Sequence, residues 1–151
     1  MKNTISFVCI GLLFAWIAGV ACAPVQKTII TESDLPALKG TWSGWTTFSS
    51  VQTSPVLTTL EINNDTVPLQ GKITLSNLPP GVASVFPVES LSAGNRVAID
   101  FRNGKISDQG TIIAQSGENF LELTYSASGK PKLDGWFYYY GARGTLAVTK
   151  P

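Results

Sequence analysis

At 151 residues, with 11 Lys and Arg against 10 Asp and Glu, the chain has room for one domain and carries a net charge of +1. Its basic residues are scattered singly among acids and hydroxyls, which excludes the clustered surface that tracks phosphates, so no nucleic-acid partner is expected. It has no His, and its two cysteines are Cys9 and Cys22. The usual general base and the usual transition-metal ligand are therefore missing, and the chain reads as a non-enzyme with no cofactor and no metal site.

The N-terminus has the grammar of an export signal. Met1-Lys2-Asn3 is the charged start, Ile5 to Ala18 is an apolar run, and Gly19-Val20-Ala21-Cys22 is a small-residue exit, so residues 1–21 read as a signal peptide. Taken alone, Ile5 to Ala21 is about 17 residues, at the lower edge of a bilayer span. A retained transmembrane anchor is the alternative, but Cys followed by Ala-Pro suits cleavage better than the Lys- and Arg-rich flank of a stop-transfer segment. Small residues ending in Ala21-Cys22 resemble the lipobox of bacterial lipoproteins, in which the Cys sulfur receives a diacylglycerol and becomes the new N-terminus. The resemblance implies lipidation of Cys22 and a membrane partner through that lipid anchor. It also implies a cell-envelope location, with Ala23 favouring the outer membrane, facing the periplasm or the cell surface. Gly19 stands where the family usually has Leu, so ordinary cleavage after Ala21 or Ala23, leaving a soluble exported protein, stays open. Cys9 leaves with the signal segment, so no internal disulfide is expected and packing must hold the domain.

Residues 22–37 are polar, have Pro24 and Pro36 near their ends and lack a sustained period, which suits a tether. Ser33-Asp34-Leu35-Pro36 can cap one helical turn before Gly40 breaks it. From residue 38 to 151 apolar residues recur at every second position between breaks of Gly, Asn, Asp, Ser and Pro. The expected strands are Thr41 to Ser49, Pro55 to Asn63, Leu69 to Ser76, Arg96 to Arg102, Lys105 to Gln115, Asn119 to Ala127, Lys132 to Tyr140 and Ala142 to Thr149. Asn103-Gly104 is a two-residue hairpin signal. Asn77 to Leu91, with Pro79-Pro80-Gly81 and Pro87, reads as a long loop. The fold class is all-β: an eight-stranded antiparallel up-and-down barrel.

Gly40-Thr41-Trp42 on the first strand, with Arg143 on the last, resembles the calycin pattern of lipocalins and fatty-acid-binding proteins. The resemblance implies a lipocalin-like barrel closed by Arg143 over the indole of Trp42, with a small apolar or amphipathic ligand in its interior. The run Trp136-Phe137-Tyr138-Tyr139-Tyr140 puts Trp136, Tyr138 and Tyr140 on one face of a strand and Phe137 and Tyr139 on the other. The first set is the candidate ligand-binding surface, stacking a sugar, a lipid or a protein. Plain packing, with one set filling the barrel and the other lying under the tether or the long loop, is the simpler reading of the run, because Tyr is common on strands for packing reasons alone.

Ser126-Ala127-Ser128-Gly129-Lys130, followed by Gly141-Ala142-Arg143-Gly144, resembles the membrane-bound inhibitors of c-type lysozyme. That resemblance implies a protein partner, with Ser128 hydrogen-bonding a catalytic carboxylate and Arg143 pairing with one. Here Lys130-Pro131-Lys132 replaces the family's Tyr, and Ser-Gly-Lys-Pro is also an ordinary turn. The carboxylates Asp100, Asp108, Glu118, Glu122 and Asp134 have no paired catalytic spacing. Asn64-Asp65-Thr66 fits either a glycosylation acceptor or a turn.

Overall fold

The structure is a computed structural model that describes residues 27–49 and 55–151; the signal segment and Cys22 lie outside the described residues. Nine strands follow in chain order: β1 Gly40–Phe48, β2 Val56–Ile62, β3 Leu69–Ser76, β4 Leu91–Ser92, β5 Arg96–Ile106, β6 Ile112–Ser116, β7 Asn119–Ser126, β8 Lys132–Tyr139 and β9 Ala142–Thr149. Eight of them close an antiparallel barrel of lipocalin-like form, β1 pairing with β9 and β3 with β5, while the two-residue β4 lies along the start of β5. Closure leaves no terminal strand edge in the ring.

Strand alternation decides what fills the barrel. Trp42, Thr46 and Phe48 on β1 face inward, as do Val56, Thr58, Leu60 and Ile62 on β2, while Thr41, Ser43, Trp45 and Thr47 face out. Leu121, Leu123 and Tyr125 on β7 and Leu146 and Val148 on β9 continue the inner wall. These side chains are almost completely buried, and fully burying each large one contributes about 1.5–3 kcal/mol. The interior also holds two hydroxyls, which satisfy each other: Thr58 donates to Thr46 at 2.7 Å, so neither pays the cost of an unpaired buried polar group.

Each end carries a plug. At one, residues 27–38 fold across the barrel mouth: Thr28 bridges Tyr125, the Ile30 amide donates to the Gly110 carbonyl at 3.0 Å, and α1 (Leu35–Leu38) buries Leu35 and Leu38. The described part of the expected tether is thus packed onto the domain, because Ile30, Leu35 and Leu38 supply apolar surface that the barrel mouth can cover. At the other end α2 (Pro80–Ala83) and the turns around it insert Leu78, Val82, Ala83 and Phe86. Phe86 meets Phe48 edge-on with ring centroids 6.0 Å apart. The expected long loop Asn77 to Leu91 is therefore a lid held in place by buried apolar side chains.

Asn103-Gly104 is not a hairpin. β5 runs through both residues, and the chain reverses later, at Ser107–Gly110, where the Gly110 amide donates to the Ser107 carbonyl at 2.9 Å. Gly104 instead sits against Leu69, where an added Cβ would lie 2.7 Å from the Leu69 Cβ. The β3–β5 register advances two residues from Leu69 to Gly71 and three from Phe101 to Gly104, so β5 bulges here. A glycine chosen for a close approach carries the same signature as one chosen for a turn.

Candidate functional site

At the plugged N-terminal end, Trp42 is fully buried and its indole Nε1 donates to the Leu38 carbonyl at 2.8 Å. The cation over its ring is Lys150, with Nζ 5.2 Å from the centroid, and not Arg143. The same ammonium donates to the carbonyls of Ala37 at 2.5 Å and Lys39 at 2.8 Å. Antiparallel pairing explains the exchange: Ser43 faces Thr149 whereas Phe48 faces Gly144, so the end of β9, not its beginning, lies beside Trp42. Arg143 is at the far end, with its guanidinium carbon 5.1 Å from the ring centroid of Trp136.

The aromatic run divides as alternation requires, but the candidate ligand set faces outward. Trp136 and Tyr138 lie on the outer surface, and Tyr140 is 59% exposed in the β8–β9 turn at a φ of 47°. Phe137 and Tyr139 point inward. A ligand held inside the barrel would therefore meet Phe137 and Tyr139 rather than Trp136 or Tyr140, while Tyr138 lines a cleft in the barrel wall. Ser128 and Arg143 also separate. The Ser126–Lys130 turn joins β7 to β8 beside Lys132, which pairs with Thr149, whereas Arg143 pairs with Tyr138 six residues further along β8. At about 3.3 Å per residue they are roughly 20 Å apart along the barrel, so they cannot enter one cleft together. Ser128 is engaged within its own turn, its hydroxyl 3.2 Å from that of Ser126.

Among the described residues, no group of three or more His, Cys, Asp or Glu could hold a metal. At Asp34 the Thr31 amide and hydroxyl both donate to Oδ2, at 2.8 and 2.7 Å, and hold the carboxyl below the usual carboxylate range. This is helix capping rather than catalysis. Asn64 organises the β2–β3 turn, donating through Nδ2 to the carbonyls of Thr66 and Pro68 and accepting from the Gln70 amide.

Two concavities stand out among the described residues. The first is a side cleft of about 230 Å³ in the barrel wall. β5 pairs with β6 only through Lys105 with Ile113 and Ile106 with Ile112, and with β4 only through Arg96 and Val97. Between those points the edge of β5 away from β3, from Ala98 to Gly104, has no strand beside it among the described residues. The bulge at Phe101–Gly104 and the shortness of β6 splay the wall and open the cleft. Ile73, Ile99, Phe101, Leu121 and Phe137 form its apolar depth, and Asp100, Arg102, Asn103 and Gln115 its polar mouth. The Asn103 side-chain amide donates to the Gln115 carbonyl and closes the lower edge of the gap.

The second is a trough on the outer surface lined by Trp45, Thr47, Pro55, Asp134, Trp136, Thr145 and Ala147. Neither Phe101 nor Trp45 stood out in the sequence, because a Phe or Trp in an alternating strand carries no sign of whether its neighbours will leave a gap beside it. The shift in inward parity from Phe101 to Gly104 was the one available signal for the cleft. No family model, no curated protein and no solved structure matches the chain, so these surfaces have to be read from their own chemistry.

Proposed function

We propose that the protein is an exported cell-envelope lipoprotein, anchored through Cys22, whose barrel binds a small amphipathic ligand without catalysing a reaction. The side cleft carries this reading: an apolar depth of Ile73, Ile99, Phe101, Leu121 and Phe137 behind a mouth that offers the Asp100 carboxylate, the Arg102 guanidinium and the Asn103 and Gln115 amides. Such a site takes an apolar tail or ring inward and leaves a polar group at the rim. Its 230 Å³ falls short of the roughly 300 Å³ at which pockets begin to enclose a whole ligand, so the site grips one end of its ligand. The signal segment and its small-residue exit at Cys22 support the anchored, outer-membrane part of the reading, and the absence of His supports a binding role.

The full chain, recovered from the membranes of an exporting bacterial host, tests both parts. Intact mass should show a Cys22 N-terminus carrying an acylated glycerol; an unmodified N-terminus produced by cleavage after Ala21 or Ala23 refutes the anchor. Anilinonaphthalene sulfonate, an amphipathic anion with a fluorescent ring system, should bind saturably, and Ala114→Phe, which fills the cleft, should weaken it at least about tenfold. Equal binding by the filled variant removes the cleft as the site.

A further inference from the structure

The outer trough is built by three adjacent strands. On its floor β9 presents the small residues Thr145 and Ala147, and its neighbours raise an indole on either side: Trp45 on β1, opposite Ala147, and Trp136 on β8, opposite Thr145. Two strand spacings separate the indole-bearing strands, about 10 Å, and the indoles are offset along β9 by the step from Thr145 to Ala147, about 7 Å. A ring seated on the floor of Thr145 and Ala147 lies between them. Trp45 is 56% exposed, so much of its ring is open to a ligand. Trp136 is braced by Phe120, with ring centroids 4.9 Å apart, and by the Arg143 guanidinium over its ring. The trough therefore has a stiff wall and a free one.

Its remaining lining mixes Pro55 and Ala147 with polar groups. The Asp134 carboxylate, 3.5 Å from the Lys132 ammonium and 3.4 Å from the Thr124 hydroxyl, and the hydroxyls of Thr47 and Thr145, the latter donating to the Thr47 carbonyl at 3.4 Å, stand beside the indoles. A lipid chain or an apolar protein face would strip water from the lone pairs that these contacts leave free, without replacing it. A pyranose offers both halves of the match: C–H groups on its faces for the indoles and hydroxyls around its edge for Asp134 and the threonines.

We infer that the trough between Trp45 and Trp136 is a binding site for a neutral saccharide, taken one ring deep. It stands on residues separate from the side cleft and does not depend on the ligand proposed there.

Tryptophan fluorescence and amide NMR of the full chain, titrated with N-acetylchitotriose, maltotriose, cellotriose and mannotriose up to about 10 mM, test the inference. At least one sugar should give a saturable response that moves the Trp45, Trp136 and Ala147 signals. Trp45→Ala should weaken that response at least about tenfold, and so should Ala147→Leu, which fills the floor and removes no contact of Trp136. Ala114→Phe, in the cleft, should leave it unchanged. No response to any of the sugars overturns the inference, as does a response that survives both trough variants. Insertion of Trp45 into phosphatidylglycerol vesicles, or Trp45-dependent self-association, in a protein silent to sugars would assign the face to lipid or to a second copy.

Discussion

Trp42 meets its polar and its apolar requirements at once: the ring fills the barrel end, Nε1 donates to the Leu38 carbonyl, and Lys150 covers one π-face. Trp42→Phe should therefore destabilise by about 1–3 kcal/mol, since it shrinks the ring and strands a buried carbonyl; urea unfolding measures this. Lys150→Met keeps the stem but removes a charged donor to two carbonyls and the cation over the ring, and should cost about 1–2 kcal/mol in the same assay. Arg143→Ala, at the opposite end and on the surface, should cost under about 1 kcal/mol. If the Arg143 variant lost more than the Lys150 variant, this account of barrel closure would be wrong. Asp34 gives a pH dependence of definite sign. Its folded carboxyl is more acidic than the unfolded one, so its stabilising effect is present above the unfolded value of about 3.9 and is lost as pH falls through the lowered one. Melting curves of the wild type and Asp34→Asn should differ near neutrality and converge in acid.

At the scale of the element, β5 shows where sequence reasoning stops. Its first half, with Val97, Ile99 and Phe101 inward, follows the period of two visible in the sequence. The second half resumes inward at Gly104, out of phase, because a bulge intervenes. Asn103-Gly104 could not be told from a turn by composition, since turns and close approaches both select glycine. Gly104→Ala should cost about 1–3 kcal/mol, the added methyl meeting Leu69 within the barrel wall. The segment from Asn77 to Leu91 makes the same point: its prolines announced irregular backbone but gave no sign that Phe86 would pack against Phe48 and Tyr139. Phe86→Ala should destabilise by about 3–4 kcal/mol and Val88→Ala, at an 84% exposed position, by less than about 0.5 kcal/mol. Similar costs for both would show that the segment is a loose loop after all.

The barrel as a whole is uneven around its circumference. The β8–β9–β1–β2–β3 wall is paired along its length, whereas β5 stands apart from β6 over Ala98 to Gly104. Native-state hydrogen exchange should follow this division. Amides on the open edge of β5 should exchange at least about a hundredfold faster than those of β1 and β9; uniform protection around the ring would contradict a splayed wall. The all-β class, the number of long strands and the inward parity of most of them were legible in the residues alone, because each depends on local order: a period of two, a turn residue. Which cation covers Trp42, which aromatics face solvent, where the wall opens and whether Ser128 and Arg143 can act together were decided only by the closed sheet. Those properties depend on which residues face each other across strands distant in sequence, and register between such strands is set by the packing of the whole barrel.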